Sequence, residues 1–219
     1  MIKGAIFDLD GTLLDSMWIW DTIGEDYLRS LGYEPKEDIN ALFKTFSLRQ
    51  AAEHYKTRYE MPMSVEELMD GVNKTVENYY FHTVTLKEGV KELLERLYEN
   101  GVSMCIATAT DKYQVEAAIT RLGIKYCFSD ILTCTEVGHG KDEPIIYQKA
   151  LEALRTDRSN TLVVEDSLYA LRTAKNDGFI TVGIYDGHNS EQTEIKSYSD
   201  LYLYDFKNIT KFIGFAEQL

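Results

Sequence analysis

Ile6-Phe7-Asp8-Leu9-Asp10-Gly11-Thr12-Leu13-Leu14-Asp15, IFDLDGTLLD at residues 6–15, is the stretch on which the reading of this chain turns. The run before it, Lys3-Gly4-Ala5-Ile6-Phe7, is short and apolar with a glycine near its start, the pattern of a buried strand. Asp8 and Asp10 follow with one apolar residue between them. Strand alternation continued through Asp10 sets both carboxylates on one side of the chain. Gly11-Thr12 then marks where the backbone leaves the sheet, since glycine reaches dihedrals that other residues resist. Two carboxylates at the tip of a buried strand repel each other and lose hydration, so they need a cation or strong donors. Mg²⁺, a hard ion that prefers carboxylate, carbonyl and water oxygens, is the simplest partner.

The 219 residues suffice for one large domain or for a core domain with a smaller insert. At 44% hydrophobic and 27% charged, the chain has material for a core. A formal charge of −13 argues against nucleic-acid polymers and anionic membranes, while leaving room for a small phosphorylated metabolite met by local positive charge. Cys105, Cys127 and Cys134 are odd in number and lack paired metal spacing, which suits a reducing cytoplasm. No leader-like segment or membrane-length apolar run is expected. Oligomeric state is not legible.

Residues 16–82 carry helical patterns and no convincing strand. Trp20, Ile23, Tyr27, Leu28 and Leu31 recur at helical spacing before Gly32. Ser47-Leu48-Arg49-Gln50 and Ser64-Val65-Glu66-Glu67 have the form of capping boxes, and Leu68, Val72, Val76 and Tyr79 follow the second. From residue 83, helices alternate with strands at 103–107, 131–133, 161–164, 180–184 and 201–203. The expected fold class is therefore α/β: a Rossmann-like parallel sheet core at 1–15 and 83–219, with an all-helical cap domain at 16–82 inserted after the first strand.

Ligands of such sheets bind beyond the carboxyl ends of the strands. Those ends carry Asp8 and Asp10, then Thr108, Ala109, Thr110 and Asp111, then Lys141 in a loop, then Glu165 and Asp166. This set suits phosphoryl transfer. Asp8 attacks phosphorus, and Mg²⁺ between Asp8 and Asp166 screens the charges. Thr108 and Lys141 hold phosphoryl oxygens, and Asp10 protonates the leaving group and then activates water. Glu165 orients a metal-bound water. Asp111 is expected to cap the next helix, with phosphate contact by Thr110 as the lesser reading.

These residues resemble the haloacid dehalogenase superfamily, in its capped phosphatase and phosphomutase branch. The four motifs of that family correspond to Asp8-Leu9-Asp10-Gly11-Thr12, Thr108, Lys141 and Glu165-Asp166, and the resemblance spans nearly the whole chain. It implies that Asp8 is the nucleophile and Asp10 the acid/base. It places the metal on Asp8, the backbone carbonyl of Asp10, and Asp166. It makes Gly11-Thr12 the start of the element that lets a cap open and close. The second aspartate, Asp10, favours phosphate chemistry over dehalogenation. The pattern departs at Glu88, where proline is usual, at Asp142-Glu143-Pro144 after Lys141, and at Asn176-Asp177, where small apolar residues are usual.

The expected function is Mg²⁺-dependent hydrolysis of a small phosphomonoester through an aspartyl-phosphate, with the substrate itself undefined. The alternatives are a phosphomutase similar to β-phosphoglucomutase, for which Arg49, Lys56 and Arg58 offer a second phosphate grip, and a phospho-aspartate signalling receiver. Receivers lack an insert such as 16–82. Trp18 and Trp20 are candidates for gripping the organic part of a substrate, although packing is the usual role of tryptophans at this spacing. Taken singly, Glu165-Asp166 also reads as a helix cap and Lys141 as a solvated lysine. The four histidines lack metal spacing, and the 15 tyrosines are scattered.

Overall fold

The computed structural model describes residues 2–43, 46 and 48–219. Ser47, and with it the first expected capping box, lies outside them. In chain order the elements are β1 (Gly4–Phe7), β2 (Leu14–Asp15), α1 (Trp18–Ser30), α2 (Ile39–Phe43), α3 (Leu48–Arg58), α4 (Val65–His82), β3 (Thr85–Leu86), α5 (Val90–Glu99), β4 (Ser103–Thr108) and α6 (Lys112–Arg121). They continue with β5 (Asp130–Thr133), α7 (Cys134–Val137), α8 (Ile145–Leu154), β6 (Thr161–Glu165), α9 (Leu168–Asn176), β7 (Ile180–Ile184), α10 (Gln192–Tyr198), β8 (Leu201–Leu203) and α11 (Ile209–Glu217). They form two compact units, Met1–Ser16 with Val84–Leu219, and Met17–Thr83.

The larger unit is built on a six-stranded sheet in the order β5-β4-β1-β6-β7-β8, with every pairing parallel. β1 is central, with Ile6 facing Cys105 on one side and Val163 on the other. All four residues of β1 and all five of β6 are buried. Successive side chains point to opposite faces, so burial without alternation means that both faces are covered. On one of them Ile6, Cys105, Ala107 and Val163 pack with Ile146, Tyr147, Ala150 and Leu154 of α8. Val90, Leu93, Leu94 and Leu97 form the buried stripe of α5, as their spacing predicts.

The regular strand ends at Phe7, three residues before the expected alternation through Asp10 would need it to. Asp8 N still donates to Val164 O at 3.0 Å, extending the ladder by one bond. Gly11, at φ +79°, then turns the chain, and Leu13 N and Leu14 N both donate back to Leu9 O. β2 pairs antiparallel with β3 in a small two-stranded sheet that was not expected. Each strand is two residues long, too short to show a period. The one-turn helix α7 and α10 were also not expected.

The departures from the family pattern have structural partners. Glu88 pairs with Lys207, and its carbonyl accepts from Phe206 N at 3.2 Å. Gly89 follows at φ +83° with the Phe206–Lys207 backbone against it, leaving no room for a Cβ. Asp177 accepts from Arg158 Nη2 at 2.9 Å and from Gln148 Nε2 at 3.1 Å, which gives that charge a role a small apolar residue would not have.

The smaller unit is helical. In α1 the buried line is Ile19, Ile23 and Tyr27, spaced by four, and Trp20 is turned outward at 50% exposure, so the expected stripe began one residue late. In α4 the line is Leu68, Val72, Val76 and Tyr80, while Tyr79 is half-buried and donates to Asp26 Oδ2 at 2.7 Å. The second capping box forms: Glu67 N donates to Ser64 Oγ at 3.1 Å, and Ser64 N to Glu67 Oε2 at 2.7 Å. Ser64→Ala removes one half of that exchange and is expected to cost about 1 kcal/mol of stability. Chemical denaturation checks it, and an unchanged midpoint would contradict it. No helix among the described residues is long and apolar enough to cross a membrane.

Candidate active site

Parallel pairing brings the carboxyl ends of β1, β4, β5 and β6 to one edge of the sheet. Asp8 follows β1, Thr108 is the last residue of β4, and Glu165 is the last of β6 with Asp166 beyond it. Lys141 lies in the loop between α7 and α8. That loop is held by Thr133 at the N-cap of α7, by Gly138 at φ +79°, and by Thr173 Oγ1 donating to Asp142 O at 3.3 Å. Lys141 reaches the site without the proline usual after it.

The lysine is 4% exposed and lies between two acids. Its Nζ donates to Asp8 Oδ1 in a short contact and to Glu165 Oε1 at 2.8 Å. Asp8, Glu165 and Asp166 are all buried, and each offers a carboxylate oxygen within 4.8 Å of the others. The ammonium thus pairs with two of the three carboxylates, and its charge also acts on Asp166. Burial alone would pull the Lys141 pKa down, but the charges of Asp8 and Glu165 outweigh it, and the ammonium is held charged. Glu165 is pushed up to about 7 by burial, against the lowering pull of Lys141. Asp166 is pushed well up by burial, then by the charges of Asp8 and Glu165.

The donor set fits a hard divalent cation. It is all oxygen, buried and crowded, and Glu165 Oε2 has no hydrogen-bond partner. Such an ion would hold ionised the carboxylates that burial otherwise drives toward protonation.

The Asp10 side chain is not part of this cluster. Its Oδ1 accepts from Ser16 Oγ at 2.6 Å and its Oδ2 from Thr110 Oγ1 at 2.5 Å. Thr110 holds Asp10, a role not anticipated. Asp111 occupies the N-cap position of α6 but makes no capping bond, because its Oδ1 accepts from Thr135 Oγ1 at 3.1 Å instead.

Thr108 is buried, and its Oγ1 accepts from Thr110 N at 3.1 Å, which leaves its hydroxyl hydrogen to donate elsewhere. Thr12 Oγ1 is buried without a partner, and Ala109 is exposed. In the helical unit, Trp18 packs edge-on against Tyr79 at 5.1 Å, while Trp20 leaves half its surface open.

Three further residues belong to the site and were not singled out. Ser16 holds Asp10 from six residues further along the chain, where it reads as the first residue of the insert. The Tyr147 hydroxyl donates to Glu165 Oε1 at 2.9 Å, yet its spacing with Ile146 and Ala150 reads only as an apolar helix face. Asn189 Nδ2 donates to Asp166 O at 3.0 Å from a loop with no periodic signal. His139 and His188 pair with Glu143 and Asp186, at 3.3 and 3.1 Å.

Residues 5–184 match the family model described as haloacid dehalogenase-like hydrolase. Validoxylamine A 7'-phosphate phosphatase of Streptomyces hygroscopicus subsp. limoneus is 29% identical over 193 residues, covering 87% of this chain and 89% of its own length. The phosphorylated carbohydrates phosphatase of Thermotoga maritima is 24% identical, covering 81% and 82%. The crystal structure of a Thermotoga maritima protein assigned as a β-phosphoglucomutase superposes with a TM-score of 0.85 over 97% of this chain and 99% of the other. At 21% identity, that likeness speaks for the fold alone.

Proposed function

The chain belongs to the haloacid dehalogenase-like hydrolase family, and from that premise we propose that it hydrolyses a small phosphorylated metabolite of the sugar phosphate class through an aspartyl-phosphate on Asp8. It is a phosphoric monoester hydrolase, in keeping with its phosphatase relatives. The observation that carries the mechanism is the buried group in which Lys141 restrains one oxygen of Asp8 among three carboxylates.

In this reading Asp8 attacks phosphorus with the oxygen that Lys141 does not hold. The bond from phosphorus to the ester oxygen breaks, and Asp10 gives that oxygen its proton. Doing so requires Asp10 to exchange Ser16 or Thr110 for the leaving oxygen. Thr108 and Lys141 donate to phosphoryl oxygens and compensate their charge. Asp10, now ionised, takes a proton from water as the water attacks the acyl phosphate, releasing phosphate and restoring Asp8. Mg²⁺ held by Asp8, Asp166 and the backbone carbonyl of Asp10, with Glu165 beside it, would supply charge neutralisation between nucleophile and phosphate. Substrate choice is assigned to the helical unit, with the open ring of Trp20 as a contact.

Purified protein with Mg²⁺ is expected to release phosphate from members of a phosphomonoester panel weighted toward sugar and polyol phosphates, and to lose that activity in EDTA. No release from any member with Mg²⁺ would count against the proposal. Isomerisation of a sugar phosphate outpacing release would replace hydrolysis by a mutase.

A further inference from the structure

Glu165 is held by more than the lysine. Its Oε1 receives two donors, Lys141 Nζ at 2.8 Å and the Tyr147 hydroxyl at 2.9 Å, while Oε2 is buried with none. The terminal torsion of a glutamate is broad, so a single donor leaves the carboxylate free to rock about its axis. Two donors from different directions on one oxygen stop that motion, because rotation breaks one of them. The Tyr147 donor is itself immobile. Its ring is fully buried among Ile146, Ala150 and Phe179, with the Phe179 ring 6.2 Å away. Burial, reinforced by the Glu165 charge, pushes the phenol well up, so it remains a donor.

Resting on the metal reading of the site given above, we infer that Tyr147 is a positioning residue. Its hydroxyl locks the Glu165 carboxylate with Oε2 presented to the cation or to a cation-bound water. It also shares Glu165 with Lys141, so that the lysine stays on Asp8. A tyrosine that merely filled the core would have no such effect on the site.

The test is Tyr147→Phe, which keeps the ring and removes only the donor. Mn²⁺ affinity is read from the free-ion EPR signal, independently of turnover. Loss of a partner that orients a metal-site residue is expected to weaken Mn²⁺ binding about tenfold. It is also expected to lower kcat while the KM for the phosphomonoester stays within about twofold, because Tyr147 is not assigned to the substrate. The double variant with Glu165→Gln separates mechanism from packing. If Tyr147 acts through Glu165, adding Tyr147→Phe to Glu165→Gln weakens Mn²⁺ no further. An unchanged Mn²⁺ affinity in Tyr147→Phe, with only the melting temperature lowered, would overturn the inference alone. So would a full effect surviving in the Glu165→Gln background. Absence of Mn²⁺ binding in the wild type would instead overturn the metal reading, and this inference with it.

Discussion

Asp8→Asn is expected to remove turnover, with kcat falling on the order of 10⁴-fold or more, while the fold is retained. The amide matches the carboxylate in shape and has lost the nucleophilic oxygen. It also takes away one of the three carboxylates crowded around Lys141, so the metal-free protein should be no less stable. The loss therefore separates chemistry from folding, and far-ultraviolet circular dichroism with a melting curve checks the second half. The covalent step makes a stronger demand. Wild-type enzyme quenched in acid during turnover should carry a phosphoryl group that hydroxylamine removes, and Asp8→Asn should carry none. Asp10→Asn should still become phosphorylated with substrates whose leaving groups need no proton, and then hold the group, because no base remains to activate water. Phosphate release persisting in Asp8→Asn would falsify the aspartyl-phosphate route, whatever the fate of the metal.

Asp8, Thr108, Lys141, Glu165 and Asp166 were legible in the sequence for one physical reason. Asp8, Thr108, Glu165 and Asp166 lie at or just beyond the ends of strands buried on both faces, Lys141 lies in the loop that follows β5 and α7, and parallel pairing brings those strand ends together. The contacts of Asp10 were not legible. Ser16 is six residues away in the chain and Thr110 is one hundred away, and neither stands in a pattern that a buried face imposes. Tyr147 was hidden by its own ring, which satisfies the helix period so well that the hydroxyl goes unremarked. Trp20 erred in the opposite sense. A large apolar residue at the first turn of α1 was counted into the stripe, but Ile19, one residue earlier, is the one in line with Ile23 and Tyr27. Periodicity identifies a face to within one residue and says nothing about a polar atom at the far end of a buried side chain.

Lys141→Met should be the most disruptive single change in stability, with a loss of rate smaller than that of Asp8→Asn. Methionine approximates the lysine stem and leaves Asp8, Glu165 and Asp166 buried together without a cation. Removing one partner of a buried ion pair costs roughly 3–5 kcal/mol, because the remaining charges keep their desolvation without compensation. That cost should depend on pH in a definite direction. Glu165 is already pushed up to about 7 by burial, with Lys141 opposing the rise, so its loss moves Glu165 higher still. A carboxyl raised in the folded state stabilises the fold while protonated. Its contribution is complete below the ordinary value of 4.5 and is lost as pH climbs through the folded value. Metal-free Lys141→Met should therefore be weakest at pH 8, regain stability as pH falls toward 5, and be rescued at pH 8 by millimolar Mg²⁺, which binds only the folded site. Its kcat should remain low under all of these conditions, by a factor on the order of 10² to 10³, since Mg²⁺ replaces the charge but not the donor on the phosphoryl oxygen. Melting curves across pH, with and without Mg²⁺, read out the first claim, and phosphate release reads out the second. A variant as stable as wild type at pH 8 without metal would mean that Lys141 does not carry the charge balance of this site.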